Sequence, residues 1–240
     1  MDKVLSVRSV IHRLAVALAV CTGMTVTTSN AEVMFSGVLP GGVLIKKPVV
    51  SMAEARYQYV VRQRTDFSCG AASLATILKY AYGMDVDEIT VMQGLLQVSD
   101  PKIVMKQGFS LLDLKNYAES LGLRARGYRV TLDRLRAIRV PTIVMLDVSG
   151  YKHFVVLKRL VDDQVFIADP ALGNKVLPLD EFLKSWATQT VFAVIGSGFD
   201  RNTKLLQVKK PPTARHWLAA NGPITDSELL DFGFSHADLF

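Results

Sequence analysis

Cysteine is nearly absent from this sequence: 240 residues contain two, Cys21 and Cys69. Neither belongs to a Cys-x2-Cys pair and no His-x3-His pair accompanies them, so a zinc ribbon or finger has no ligand set, and no metal or other cofactor is expected. A Gly-x4-Gly-Lys-Ser/Thr phosphate loop is also missing, which removes an ATP-hydrolysing engine from the chain itself. The formal net charge is +6, yet no basic run with interleaved aromatics occurs, and nucleic-acid binding has no support. Long hydrophobic runs are lacking too. The apolar stretch at 14–20 falls well short of the roughly 20 residues that span a bilayer.

That short apolar stretch has a different use. Lys3, Arg8 and Arg13 flank it, and small polar residues follow it, ending in the small-x-small pattern Ser29-Asn30-Ala31. This is the layout of a secretory signal, with the mature chain starting at Glu32 in the periplasm. Two alternatives are weaker. An uncleaved anchor is too short, and lipidation at Cys21 would require a small residue where bulky Val20 stands. Removing the signal lowers the net charge to +4 and leaves Cys69 as the sole thiol. No internal disulfide is then available. An unpaired thiol in an oxidising compartment is either a buried small hydrophobe or a working group.

The rest of the chain divides by composition. Residues 32–56 are rich in Gly, Pro and Val and read as an extended arm; its Gly41-Gly42 pair is either an autoprocessing site or a flexible turn. Residues 57–198 carry dense periodic signals and form the domain. Residues 199–240 are a tail holding Lys209-Lys210-Pro211-Pro212, Trp217 and the acidic stretch 226–231. Within the domain, Cys69 opens a helix with Leu74, Ile77, Leu78 and Ala81 at helical spacing and Gly83 as its stop. A second helix follows the acidic start at 85–88. Ser110 caps a third that ends at Gly122, and Thr131 caps a fourth through Ile138. Strand-like runs then dominate, at 142–147, 153–161, 164–168 and 190–195, with a last helix at 179–186. Helices first and strands later predict an α+β domain with an antiparallel sheet.

One set of residues carries chemistry. A cysteine at a helix start, followed by Gly70-Ala71-Ala72-Ser73, is favoured as thiolate if a base stands nearby. Of the histidines left after the signal, His216 and His236 lie in the tail, so His153 is the candidate base. Asp162-Asp163 forms a turn between two strands, and the return strand runs up to Asp169. Opposed residue numbers in that hairpin sum to about 325, which puts Asp169 opposite Val156 and within reach of His153. There its carboxylate is expected to take the Nδ1 proton and present the other ring nitrogen to sulfur. The Cys69 amide and the Gln63 side chain are candidate donors to an oxyanion.

Gln63-x5-Cys69-Gly70-Ala71-Ala72-Ser73-Leu74-Ala75, then Tyr151-x-His153-Phe154-Val155-Val156, then Asp169-Pro170-x-x-Gly173 together resemble the bacteriocin-processing, or double-glycine leader, cysteine peptidase family. The likeness spans about 57–196. It implies a papain-like fold, helices packed on a C-terminal antiparallel sheet, with Cys69 as nucleophile, His153 as base and acid, Asp169 orienting it and Gln63 in the oxyanion hole. It also implies cleavage after a pair of small residues such as Gly-Gly. Many family members are domains of an ABC transporter, whereas this chain has no transporter. A free-standing exported member resembles the peptidase of the functional-amyloid (Fap) secretion system, which implies a secreted fibre subunit or export component as partner. Two rival readings remain: a catalytically silent module that binds an unfolded client, and a papain-like cell-wall amidase. Peripheral attachment to the membrane is left open by the sequence.

Overall fold

The computed structural model describes residues 32–35, 45–48 and 52–209. The signal at 1–31, Cys21, Gly41-Gly42, His216, Trp217, the acidic stretch and His236 lie outside the described residues. The chain divides into two compact units, residues 1–50 and 51–240. In the first, strands β1 (Glu32–Phe35) and β2 (Ile45–Pro48) pair antiparallel, Glu32 opposite Pro48 and Phe35 opposite Ile45. The arm therefore contains a hairpin that its Gly- and Pro-rich composition did not announce.

The second unit begins with a short helix, α1 (Met52–Arg56), and then α2 (Cys69–Tyr82). Helix α2 forms because small residues open it and an apolar stripe follows; Leu74, Ile77, Leu78 and Ala81 are all fully buried. Gly83 ends it in the left-handed region at φ +66°, its N–H bonded to Leu78 O. Asp87 caps α3 (Glu88–Leu96) by accepting from Thr90 N–H, and Ser110 with Asp113 forms a reciprocal capping box on α5 (Leu111–Ser120). Between them lies α4 (Pro101–Gln107), absent from the sequence reading. Its signal was present nonetheless, as Asp100 is the N-cap and Pro101 the first helical residue.

A six-stranded antiparallel sheet follows in the order β3-β8-β4-β5-β6-β7. Its members are β3 (Arg124–Arg129), β4 (Thr142–Val148), β5 (Tyr151–Val161), β6 (Gln164–Asp169), β7 (Gly173–Pro178) and β8 (Thr190–Ile195). Helix α6 (Leu132–Ala137) separates β3 from β4, and α7 (Leu179–Ser185) separates β7 from β8. The two strands that the sequence concealed are the two edges. Strand β3 reads RARGYR and β7 reads GNKVLP, polar because each pairs on one side only. The central strands are apolar on both faces because both are covered. Ile143, Phe154, Val156, Ala168 and Phe192 join the helices α2 to α5, while Val144, Val155, Leu157 and Val191 join Leu135 of α6 and Phe182 and Trp186 around α7.

One irregularity governs the site. The β5–β6 hairpin starts as predicted, with Val161 opposite Gln164 and Arg159 opposite Phe166, but a β-bulge at Lys158 then shifts the register, so Leu157 faces Ile167 and Val156 faces Ala168. The expected pairing of Asp169 with Val156 is thus off by one. The correction matters, because strand side chains alternate faces and a one-residue slip swaps them. Under the uninterrupted register, Asp169 and His153 would stand on opposite faces of the sheet. The bulge brings them to the same one.

Candidate active site

Three segments meet at the start of α2. The loop 63–68 delivers Cys69, β5 delivers His153, and the end of β6 delivers Asp169. Cys69 is buried and is the free cysteine of the described chain. Gln63 N–H donates to Pro170 O at 3.0 Å, which ties the loop to the turn after Asp169. Tyr151 spans the remaining side: its hydroxyl donates to Asp66 O at 2.8 Å and its ring stacks on that of His153, centroids 6.1 Å apart.

His153 Nε2 lies 2.9 Å from Asp169 Oδ1, and both groups are buried. This corrects the expected nitrogen. The carboxylate takes Nε2, and Nδ1 is left buried without a hydrogen-bond partner among the described residues. Burial by itself would depress the imidazole's pKa. Against burial, the hydrogen bond to Asp169, that carboxylate's negative charge and the nearby Cys69 prevail, raising the pKa from 6.5 to about 9. Asp169 is also pushed upward by burial, but its bond to His153, the imidazolium charge, and the N–H groups of Ala171 at 2.8 Å and Leu172 at 3.1 Å hold it below the usual carboxylate range. At neutral pH the pair is therefore imidazolium and carboxylate, with the ring's second N–H available to sulfur.

Gln63 lines the same cleft as His153 and Asp169, a depression of about 780 Å³ whose walls include Leu146, Tyr151 and Leu177. Its Nε2 donates to Thr65 O at 3.3 Å, which leaves the amide's second N–H free of any partner among the described residues. Gln63, His153 and Asp169 thus share one cleft, while Cys69 is buried at the start of α2, outside that lining and near enough to His153 to raise its pKa. Three neighbours were missed. Tyr151 was visible only as part of a motif. Ser68 and Glu88 gave no signal, since a serine before a helix and a glutamate in a first turn ordinarily read as caps. Glu88 is in fact buried, and its Oε1 accepts from Arg64 N–H at 2.7 Å and from Ser68 Oγ.

Among the described residues no group of three His, Cys, Asp or Glu side chains could hold a metal, and no helix is long and apolar enough to cross a membrane. A family model described as the Peptidase C39 family matches residues 57–195. The chain is 50% identical over 213 residues to a probable functional amyloid protease, FapD, of Pseudomonas aeruginosa, covering 89% of this chain and 94% of that protein. The corresponding protein of Pseudomonas fluorescens is 48% identical over 212 residues, covering 88% and 93%. Among solved structures, the peptidase domain of Streptococcus ComA, a bifunctional ABC transporter of a quorum-sensing pathway, superposes with a TM-score of 0.50 at 21% identity, over 58% of this chain and 100% of that one. That likeness speaks for the fold.

Proposed function

Because this chain belongs to the Peptidase C39 family and is a peptidase, we propose that it is an exported cysteine endopeptidase that cuts after a Gly-Gly-type pair in a secreted, fibre-forming client. The observation that carries the chemistry is the buried His153–Asp169 pair, 2.9 Å apart, with the ring's other nitrogen unpartnered and Cys69, at a helix start, close enough to raise the imidazole's pKa. The client follows from the relatives, whose names place them with functional amyloid. A periplasmic site of action fits the signal-like amino terminus.

The reaction runs in two halves. Cys69, its proton taken by His153, attacks the scissile carbonyl as the thiolate, and the carbonyl oxygen takes the negative charge. The Cys69 amide and the Gln63 side-chain amide donate to that oxyanion. His153 then passes its Nδ1 proton to the leaving amine, and Asp169 keeps the ring oriented through Nε2. In the second half, His153 takes a proton from water, which adds to the thioester carbonyl and releases the thiol and a new carboxylate.

The test is to co-express candidate secreted clients with wild type and with Cys69→Ala and weigh the products. One client is expected to stay at its unprocessed mass with the variant. Identical masses for every client, with both proteins folded, would overturn the reading.

A further inference from the structure

The first turn of a helix leaves backbone N–H groups without intrahelical partners, and a serine at the N-cap usually turns its hydroxyl oxygen back to accept from one of them. Ser68 holds that position on α2 and makes no such bond. The first helical bond runs from Ala72 N–H to Ser68 O at 2.9 Å, so the amides of Cys69, Gly70 and Ala71 have no helix acceptor. The Ser68 hydroxyl is instead drawn into the protein. Its hydrogen has two acceptors in reach, Glu88 Oε1 and Thr65 O at 2.8 Å, and the carboxylate is the stronger.

Glu88 has no evident structural reason for its place. It is 3% exposed, and burying a carboxylate costs free energy unless it is well paired. The nearest cation, Arg64 Nε, stands 3.9 Å from Oε2 on a side chain that is mostly in solvent, so that pairing is weak. Helix α3 does not need it, being capped by Asp87. What Glu88 does hold is the loop between Gln63 and Cys69, by one backbone N–H at Arg64 and one hydroxyl at Ser68.

We propose that Glu88 is a positioning residue for the oxyanion site: by engaging Ser68 Oγ it keeps that oxygen from capping α2, and by holding Arg64 N–H it fixes the loop that carries Gln63. A capping Oγ would sit over the first-turn amides, in the space the substrate oxyanion has to enter. This role rests on the peptidase chemistry proposed above.

The experiment follows cleavage of a fluorogenic Gly-Gly peptide, with melting temperature and the rate of Cys69 alkylation by iodoacetamide measured in parallel. Glu88→Ala is expected to lower kcat by about tenfold or more, with KM within about twofold. The alkylation rate should stay within about twofold, because His153 and Asp169 are untouched. Ser68→Ala placed in the Glu88→Ala background should restore part of kcat, since it removes the competing oxygen; a purely structural role predicts a double variant no better than the single. Should Glu88→Ala not fold, Glu88→Leu, similar in size but without an acceptor, carries the test: at unchanged melting temperature it must lose kcat, and adding Ser68→Ala must recover some of it. Unchanged kcat in a folded Glu88 variant, a loss confined to KM, or a failure of Ser68→Ala to rescue would each overturn the role. Cleavage surviving Cys69→Ala would strike the peptidase chemistry itself, a different result from any of these.

Discussion

His153 is pulled in two directions, and the balance sets two pH dependences. Burial disfavours its cation while Asp169 and Cys69 favour it, with the outcome near 9. A group whose folded pKa exceeds its unfolded one stabilises fully below the unfolded value, here 6.5, and loses that contribution as pH rises through the folded value. The stability gap between wild type and His153→Gln, read by chemical denaturation, should therefore shrink between pH 6.5 and about 9. The same proton is the one proposed for the leaving amine, so kcat/KM should fall over a basic limb near 9. Asp169→Asn keeps the shape but loses the charge that orients the ring, and kcat should drop by roughly two to four orders of magnitude. At this scale the sequence was informative in kind and wrong in detail: Cys69, His153, Asp169 and Gln63 were named from residue type and order, but the ring nitrogen that meets the carboxylate depends on χ angles that no pattern encodes.

Elements were legible where caps and periodicity are strong and hidden where pairing is one-sided. Helices α2, α3 and α5 announced themselves through Gly83, the acidic start at 85–88 and Ser110, whereas β3 and β7 have the polarity of edges and gave no strand signal. The bulge at Lys158 was beyond prediction because an inserted residue leaves no compositional trace, although it decides which face Asp169 occupies. The turn after Asp169 is equally constrained. Gly173 has φ +81°, and a Cβ there would come within 2.6 Å of Arg56 O. Gly173→Ala should cost about 1–3 kcal/mol or more by thermal denaturation. It should also slow cleavage, because the Ala171 and Leu172 amides that hold the Asp169 carboxylate belong to that turn.

As a whole, the second unit encloses its sheet between two layers, and each contributes. Phe182 is fully buried against Trp186, ring centroids 5.3 Å apart, on the face away from α2. Phe182→Ala should cost about 3–5 kcal/mol, a large share of the roughly 5–15 kcal/mol that holds a domain together. A chain beginning at Ser51 should unfold in one cooperative transition near the full-length melting temperature, since the core clusters formed by the described residues lie within that unit. The order in which the parts are made has a further consequence. Cys69 leaves the ribosome 100 residues before Asp169, an interval of roughly ten seconds at ordinary synthesis rates of about 5–20 residues per second. Under the proposed chemistry the nascent polypeptide is unarmed throughout that interval, and the blade is assembled only when the β5–β6 hairpin closes.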